Sequence, residues 1–234
     1  MNLRSCRAVI FDLDNTLYPY APCHQRGLAR ARALFATLPG AAPRRFLPEY
    51  LNARQVVARR HRATAASHSR LLYFRRLCEQ VFRRHAASYA LALHQAYWDG
   101  YFAGMRLDRA AIPLLRRLKA RGIRIGILTD LMEEVQLRKV ARLRLAPYVD
   151  AVVTSEEVGR EKPDRRMFQA ILRKLGVAPA RSVIVGDDYR KDIVGGKRAG
   201  LTTVWLAKPP RTARPRGPSA DLIVPDLRAL GRHL

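Results

Sequence analysis

The chain is poor in several things. Its 234 residues hold 3 cysteines, Cys6, Cys23 and Cys78. An odd, sparse set with no CxxC spacing argues against a disulfide scaffold or a zinc site. A reducing, cytoplasmic setting is the expectation. Acids are scarce: 19 Asp+Glu stand against 44 Lys+Arg, a formal net charge of +25. Lysine is scarce as well, because 7 of those cations are Lys and 37 are Arg. A long apolar run is also missing. The longest stretch without Asp, Glu, Lys or Arg is His85–Trp98, and it contains two His, a Gln and a Ser. A membrane span needs about 20 apolar residues, so no membrane partner is expected. Ahead of the first motif there is only the four-residue apolar run Ala8–Phe11, and no signal peptide is expected.

Hydrophobic residues make up 48% of the chain, which argues against a largely disordered protein despite the charge. The length suits one domain, or a domain with an insertion, and can bury a sizeable core. The excess charge has two readings. It suits an anionic partner, either a phosphorylated small molecule or nucleic acid. An Arg-heavy, Ala-rich composition is also what GC-rich coding produces without any ligand.

Three segments differ in texture. Residues 1–18 hold one strand and a motif, residues 19–105 read as helical, and residues 106–234 alternate strands with helices. In the last segment the apolar runs Arg124–Leu128, Ala151–Thr154, Ser182–Val185, Thr202–Leu206 and Leu222–Val224 read as strands. Helices are expected over Ile112–Arg121, from Glu133 to about Leu145, and from Pro163 to Leu175. The last has an apolar stripe at Phe168, Ile171, Leu172 and Leu175, closed by Gly176. Short buried strands alternating with amphipathic helices predict an α/β fold with a parallel sheet. Residues 19–105 predict three to five helices inserted after the first strand. Lys208–Pro218, rich in Pro and Arg, reads as an exposed loop. Gly195-Gly196-Lys197 is not a phosphate-binding loop, because the spacing and the final Ser/Thr are missing.

The acids that remain are clustered. Asp12 and Asp14 follow the strand Val9–Phe11, and Asp187 and Asp188 follow Val183–Val185. Ligands bind outside the carboxyl ends of the strands in open α/β sheets. Two such ends converging would bring three or four carboxylates together. Like charges that close cannot all ionise without compensation. A hard divalent cation, Mg²⁺, is the economical compensation for an all-oxygen set.

These motifs resemble, in order, those of the haloacid dehalogenase (HAD) superfamily of aspartate-nucleophile phosphohydrolases. The likeness covers roughly residues 7–18 and 106–225. Asp12-Leu13-Asp14-Asn15-Thr16 matches DxDxT; Thr129 matches the strand-end Ser/Thr; Lys162 before Pro163 matches the lysine; and Gly186-Asp187-Asp188-Tyr189-Arg190-Lys191-Asp192 matches the last acidic motif. The resemblance implies a Rossmann-like core, residues 1–18 and 106–234, with residues 19–105 as a helical cap. It implies Mg²⁺-dependent hydrolysis of a small phosphorylated metabolite, of nucleotide or sugar phosphate type, through an aspartyl-phosphate. By this resemblance Asp12 is the nucleophile and Asp14 the acid and then the base. Thr129 and position 130 meet the phosphate, and Lys162 neutralises it. Asp12, Asp14 and Asp187 hold the metal, with Asp188 and Asp192 in support. Asp14 favours phosphoryl chemistry, since members that cleave carbon–halogen bonds lack an acid there. One departure stands out: the family commonly has Asn where this chain has Asp130, and an acid beside phosphate is unfavourable unless it points away or pairs with a cation.

The insertion carries 14 Arg against 3 acids, a balance of +11, which suits a multiply charged substrate or a solvated face. Arg54, Arg59, Arg60, Arg62, Arg75 and Arg76 are candidates that are not placed in the site, while His61, His68 and His85 read as surface or packing residues. A phosphotransferase of the same family and a basic nucleic-acid-binding or scaffold protein are the alternatives. The oligomeric expectation is a monomer or homodimer.

Overall fold

The computed structural model describes residues 5–82, 85–207 and 217–233. Most of the expected loop at Lys208–Pro218 lies outside the described residues. The chain divides into two compact units, Met1–Pro19 with Arg106–Leu234, and Tyr20–Met105. Strand β1 (Ala8–Phe11) opens the first unit. The second unit follows as α1 (Tyr20–Thr37), α2 (Phe46–Arg60), α3 (Arg70–Val81) and α4 (Ala86–Ala103). The first unit resumes with α5 (Ala111–Ala120), β2 (Arg124–Thr129), α6 (Glu133–Arg142), β3 (Ala151–Thr154), α7 (Ser155–Val158) and α8 (Arg165–Leu175). It ends with β4 (Ser182–Gly186), a π-helical turn at Tyr189–Val194, α9 (Gly195–Arg198), β5 (Thr202–Leu206), β6 (Leu222–Val224) and α10 (Leu227–Gly231).

The six strands form one sheet in the order β3-β2-β1-β4-β5-β6, and every pairing is parallel. The chain is therefore an α/β protein with a Rossmann-like parallel sheet and a helical insertion. Phe11 is in register with Ile127 on one side and Val185 on the other. The carboxyl ends of β1, β2 and β4 thus lie side by side where the strand order reverses, the crevice in which open α/β sheets bind ligands.

All four residues of β1 are buried, as expected of a central strand covered on both faces. On one face Ala8, Ile10, Leu128, Val153 and Ile184 pack with Met167, Phe168, Ile171 and Leu175 of α8. The predicted stripe of α8 is this buried face. Phe168 is fully buried, and its truncation to Ala would cost about 3–5 kcal/mol.

The helical unit has its own core, built on aromatics. The rings of Phe35 and Phe46 are 5.3 Å apart, those of Tyr50 and Phe74 5.5 Å, and those of Phe74 and Tyr97 6.0 Å. A Cβ on Gly27 of α1 would come within 2.9 Å of the Tyr97 ring of α4, so the two helices meet over a missing side chain. Ser69 caps α3 by accepting from Leu72 N–H at 3.3 Å. Arg70, next in line, is buried, and it donates to His68 O at 2.6 Å and Tyr20 Oη at 2.5 Å. Its guanidinium lies 5.6–5.9 Å from the rings of Tyr73, Tyr97 and Trp98, so aromatic faces surround this cation.

Some boundaries differ from expectation. Pro163 does not open α8: Asp164 caps that helix through Arg166 N–H at 3.0 Å, and the helix starts at Arg165. A carboxylate acceptor is the stronger helix start, and it leaves Lys162-Pro163 in the preceding turn. Helix α6 stops at Arg142, and Arg144 then takes a positive φ of 55°. α7 and α10, of four and five residues, were too short to show periodicity.

Candidate active site

The first acid is presented by β1. Asp12 N–H donates to Val185 O at 2.9 Å, extending the sheet by one residue and fixing the Asp12 side chain at the crevice. Asp12 is 7% exposed, and both its oxygens are engaged. Oδ2 accepts from Thr16 Oγ1 at 2.8 Å and Oδ1 from Lys162 Nζ at 2.7 Å. Lys162 also reaches Asp192 Oδ1 at 2.7 Å. The lysine, 150 residues from Asp12 in sequence, is buried between two carboxylates.

The last motif comes from the turn after β4. Asp188 caps the π-helical turn by accepting from the N–H groups of Arg190 and Lys191, both at 2.9 Å. That turn carries Asp192 inward, where its second oxygen accepts from Asp188 N–H at 3.1 Å. The approach requires Gly186, because a Cβ there would overlap the Asp192 carboxyl group. Asp12, Asp187 and Asp192 each bring one oxygen to within 4.8 Å of the others.

Burial dominates the electrostatics. It pushes the Asp12 carboxyl above the usual range, with Lys162 opposing and Asp14 adding to the rise. It pushes Asp192 up to about 8, again against Lys162. Burial works against the Lys162 ammonium too, but Asp12, Asp192 and Asp130 outweigh it and hold its pKa well above normal. Three carboxylates and one ammonium leave a formal −2 when all are ionised. A divalent cation would neutralise that charge, and an all-carboxylate donor set suits a hard one. The residues present therefore fit a metal.

The structure brings Asp12, Asp187, Asp192 and Lys162 together. It does not bring Asp14 into the acid group. Asp14 turns to Lys139 of α6, whose Nζ lies 2.7 and 2.8 Å from its two oxygens, and it also accepts from the Tyr18 hydroxyl. Asp188 faces its own turn. Thr129, at the end of β2, accepts from Gln136 Nε2 at 2.5 Å and makes one long donation of 3.4 Å to Asp130 O. Asp130 meets the condition its charge imposed: Oδ2 is 2.7 Å from Lys191 Nζ, and Oδ1 accepts the Lys162 backbone N–H at 2.9 Å. Lys191 also lies 3.4 Å from Glu161.

Lys139 and Gln136 were missed in the sequence, and Lys191 was read only as a member of the last motif. Two signals could have found them. Lysine is rare in this chain, and Gln136 and Lys139 stand three apart on a helix whose other buried positions include Val135 and Val140. Of the candidate arginines, Arg75 pairs with Glu79 at 3.4 Å on the surface, and Arg54, Arg59, Arg60 and Arg62 are exposed.

A parallel sheet with a buried acid–lysine cluster at its switch point makes a site that can hold an anion beside a cation. Residues 6–200 match the haloacid dehalogenase-like hydrolase family, and the chain belongs to it. It is 44% identical over 198 residues to the ribulose-1,5-bisphosphate 5-phosphatase of Halopiger xanaduensis, covering 84% of this chain and 83% of that one. It is 34% identical over 204 residues to the glyceraldehyde 3-phosphate phosphatase of Methanopyrus kandleri, covering 86% and 84%. The fold is shared with a HAD phosphatase from Thermococcus onnurineus at TM-score 0.76, with 23% identity over 97% of this chain and 96% of that one. With relatives of this kind over most of its length, the chain is a phosphatase of the HAD family. No helix among the described residues is long and apolar enough to cross a membrane.

Proposed function

We propose that this phosphatase removes a terminal phosphate from a short sugar phosphate, with Mg²⁺ as its cofactor. The observation that carries the reading is Lys162, whose ammonium is 2.7 Å from both Asp12 and Asp192. One motif thus supplies the nucleophile, another the charge that tolerates it, and a third the acid that anchors that charge. Mg²⁺ held by Asp12, Asp187 and Asp192 would supply neutralisation of the phosphoryl charge.

In the first half-reaction Asp12 attacks phosphorus, an Asp12 O–P bond forms, and the ester P–O bond breaks. Asp14 gives the departing oxygen a proton. In the second half-reaction water attacks the same phosphorus, its proton passes to Asp14, and Asp12 leaves as carboxylate with inorganic phosphate released. Throughout, Lys162 stabilises the charge on Asp12 and the phosphoryl oxygens. The Thr129 hydroxyl and the N–H of Asp130 are the donors proposed for the phosphate, while the Asp130 side chain is spent on Lys191 and Lys162.

The sugar-phosphate class rests on the two relatives, which act on ribulose 1,5-bisphosphate and glyceraldehyde 3-phosphate by name. The helical unit, with its +11 balance, is proposed as the cap that selects the substrate. A cytoplasmic location belongs to the same proposal and is supported by three buried cysteines, none of them in a disulfide.

The test is release of inorganic phosphate from a panel of sugar and nucleotide monophosphates and bisphosphates, with Mg²⁺ and with excess EDTA. Turnover of sugar phosphates that EDTA abolishes supports the reading. Full turnover in EDTA removes the metal, and preference for nucleotides removes the substrate class.

A further inference from the structure

We infer that Lys139 is a positioning residue for Asp14. It holds that carboxyl group where a leaving oxygen can use it. The inference rests on the reading of Asp14 as the group that protonates the departing oxygen.

Lys139 is a single turn from the end of α6 and 1% exposed. A buried ammonium is costly unless it is paired. Its Nζ meets both Asp14 oxygens, at 2.7 and 2.8 Å, across 125 residues of sequence. The Tyr18 hydroxyl donates to the same carboxylate, and Lys139 Nζ lies 5.9 Å from the centre of the Tyr18 ring, so the two clamps support each other. The clamped residue needs support. Asp14 is in the loop after β1, and the next residue, Asn15, has a φ of 62°. Its side chain is 28% exposed, so packing alone does not hold it.

The same helix face serves a second motif. Gln136, three residues before Lys139, donates to Thr129 Oγ1 and to Asp130 O, both at 2.5 Å. Residues three apart share a helix face. One face of α6 thus fixes the strand-end hydroxyl with Gln136 and the acid of the first motif with Lys139. Holding a catalytic group in place is worth large rate factors, because a freely rotating group loses the near-attack geometry.

A role in positioning makes a claim that a structural ion pair does not. The loss on removing Lys139 must grow as the leaving group becomes a poorer one. The full-length enzyme with Mg²⁺ is assayed on phenyl phosphates whose phenols range from acidic (2,4-dinitrophenol) to weakly acidic (phenol). The parameter is kcat/KM, which includes departure of the phenol. For K139M and K139Q we expect kcat/KM on phenyl phosphate to fall by roughly 10-fold or more, and on dinitrophenyl phosphate by less than about 3-fold, within the range of acid catalysis. Asp14→Asn should show the same steepened trend, and Lys139→Arg should recover part of the loss. An equal loss on every ester, or a higher KM alone, overturns the inference by making Lys139 a structural or phosphate-binding residue. If Asp14→Asn steepens the trend and neither K139M nor K139Q does, Lys139 does not act through Asp14. If Asp14→Asn leaves the trend flat, the reading of Asp14 itself has failed. Should K139M and K139Q not fold, the trend in Lys139→Arg decides, since moving the cation must steepen it.

Discussion

Lys191 Nζ lies 2.7 Å from Asp130 Oδ2, and this pair resolves the one departure from the family pattern. The other Asp130 oxygen accepts the Lys162 backbone N–H, so the carboxylate ties the turn after β2 to the turn carrying the lysine. Asp130→Asn keeps an acceptor for that N–H but gives up the Lys191 ion pair and should cost about 1 kcal/mol. Asp130→Ala leaves the N–H unpaired and should cost about 1–3 kcal/mol. Its kcat should fall further than that of Asp130→Asn, because Lys162 loses its support. Urea denaturation and steady-state kinetics on both variants check this, and an Ala variant as stable and active as the parent would contradict it.

The buried pair of Lys162 and Asp12 should respond asymmetrically to loss of either member. Asp12→Asn keeps an oxygen for Lys162 and should fold, with phosphate release below about 1% of the parent, because the proposed nucleophile is gone. Lys162→Met should also be inactive but less stable by about 3–5 kcal/mol, since Asp12 and Asp192 are then left facing one another. Thermal melts beside phosphate assays separate the two. Substantial turnover by Asp12→Asn would remove Asp12 as nucleophile.

Gly186→Ala tests the close approach at the end of β4. The added methyl meets the Asp192 carboxyl group, and one of them must move. A stability loss of about 1–3 kcal/mol is expected for overpacking, with a larger fractional loss of activity, because Asp192 anchors Lys162. A fully active alanine variant would show that Asp192 need not sit there.

In the helical unit His24 Nδ1 lies 2.7 Å from the Tyr97 hydroxyl. Burial, with Arg70 and Arg54 adding, lowers its pKa from 6.5 to about 4. The folded state therefore binds this proton less readily than the unfolded state, and acid destabilises the fold. The contribution is fully present above pH 6.5 and is lost as pH falls toward 4. Between pH 7 and pH 5, His24→Gln should lose less stability than the parent, measured by chemical denaturation. An equal loss in both would exclude His24 as a source.

Much of the site was legible because its chemistry is carried by rare residues at strand ends. Acids are few in this chain, so Asp12, Asp14, Asp187 and Asp192 stood out against an arginine background, and Lys162 stood out for the same reason. The side-chain directions were not legible. Asp14 carries the same motif position as expected, yet it faces Lys139 rather than the acid cluster. Asp188 spends its carboxylate on a turn, while Asp192, expected only in support, is within reach of Asp12 and Asp187.

The amino-acid order alone determined the parallel α/β core, the stripe of α8, the helical insertion and the family's four motifs, because periodicity and strand-end acids are local properties. Only the tertiary structure decided which cation answers which carboxylate. Lys162 goes to Asp12 and Asp192, Lys139 to Asp14, and Lys191 to Asp130. Those pairings span from 30 to 150 residues, and they follow from which helices and turns the sheet places beside the ends of β1, β2 and β4.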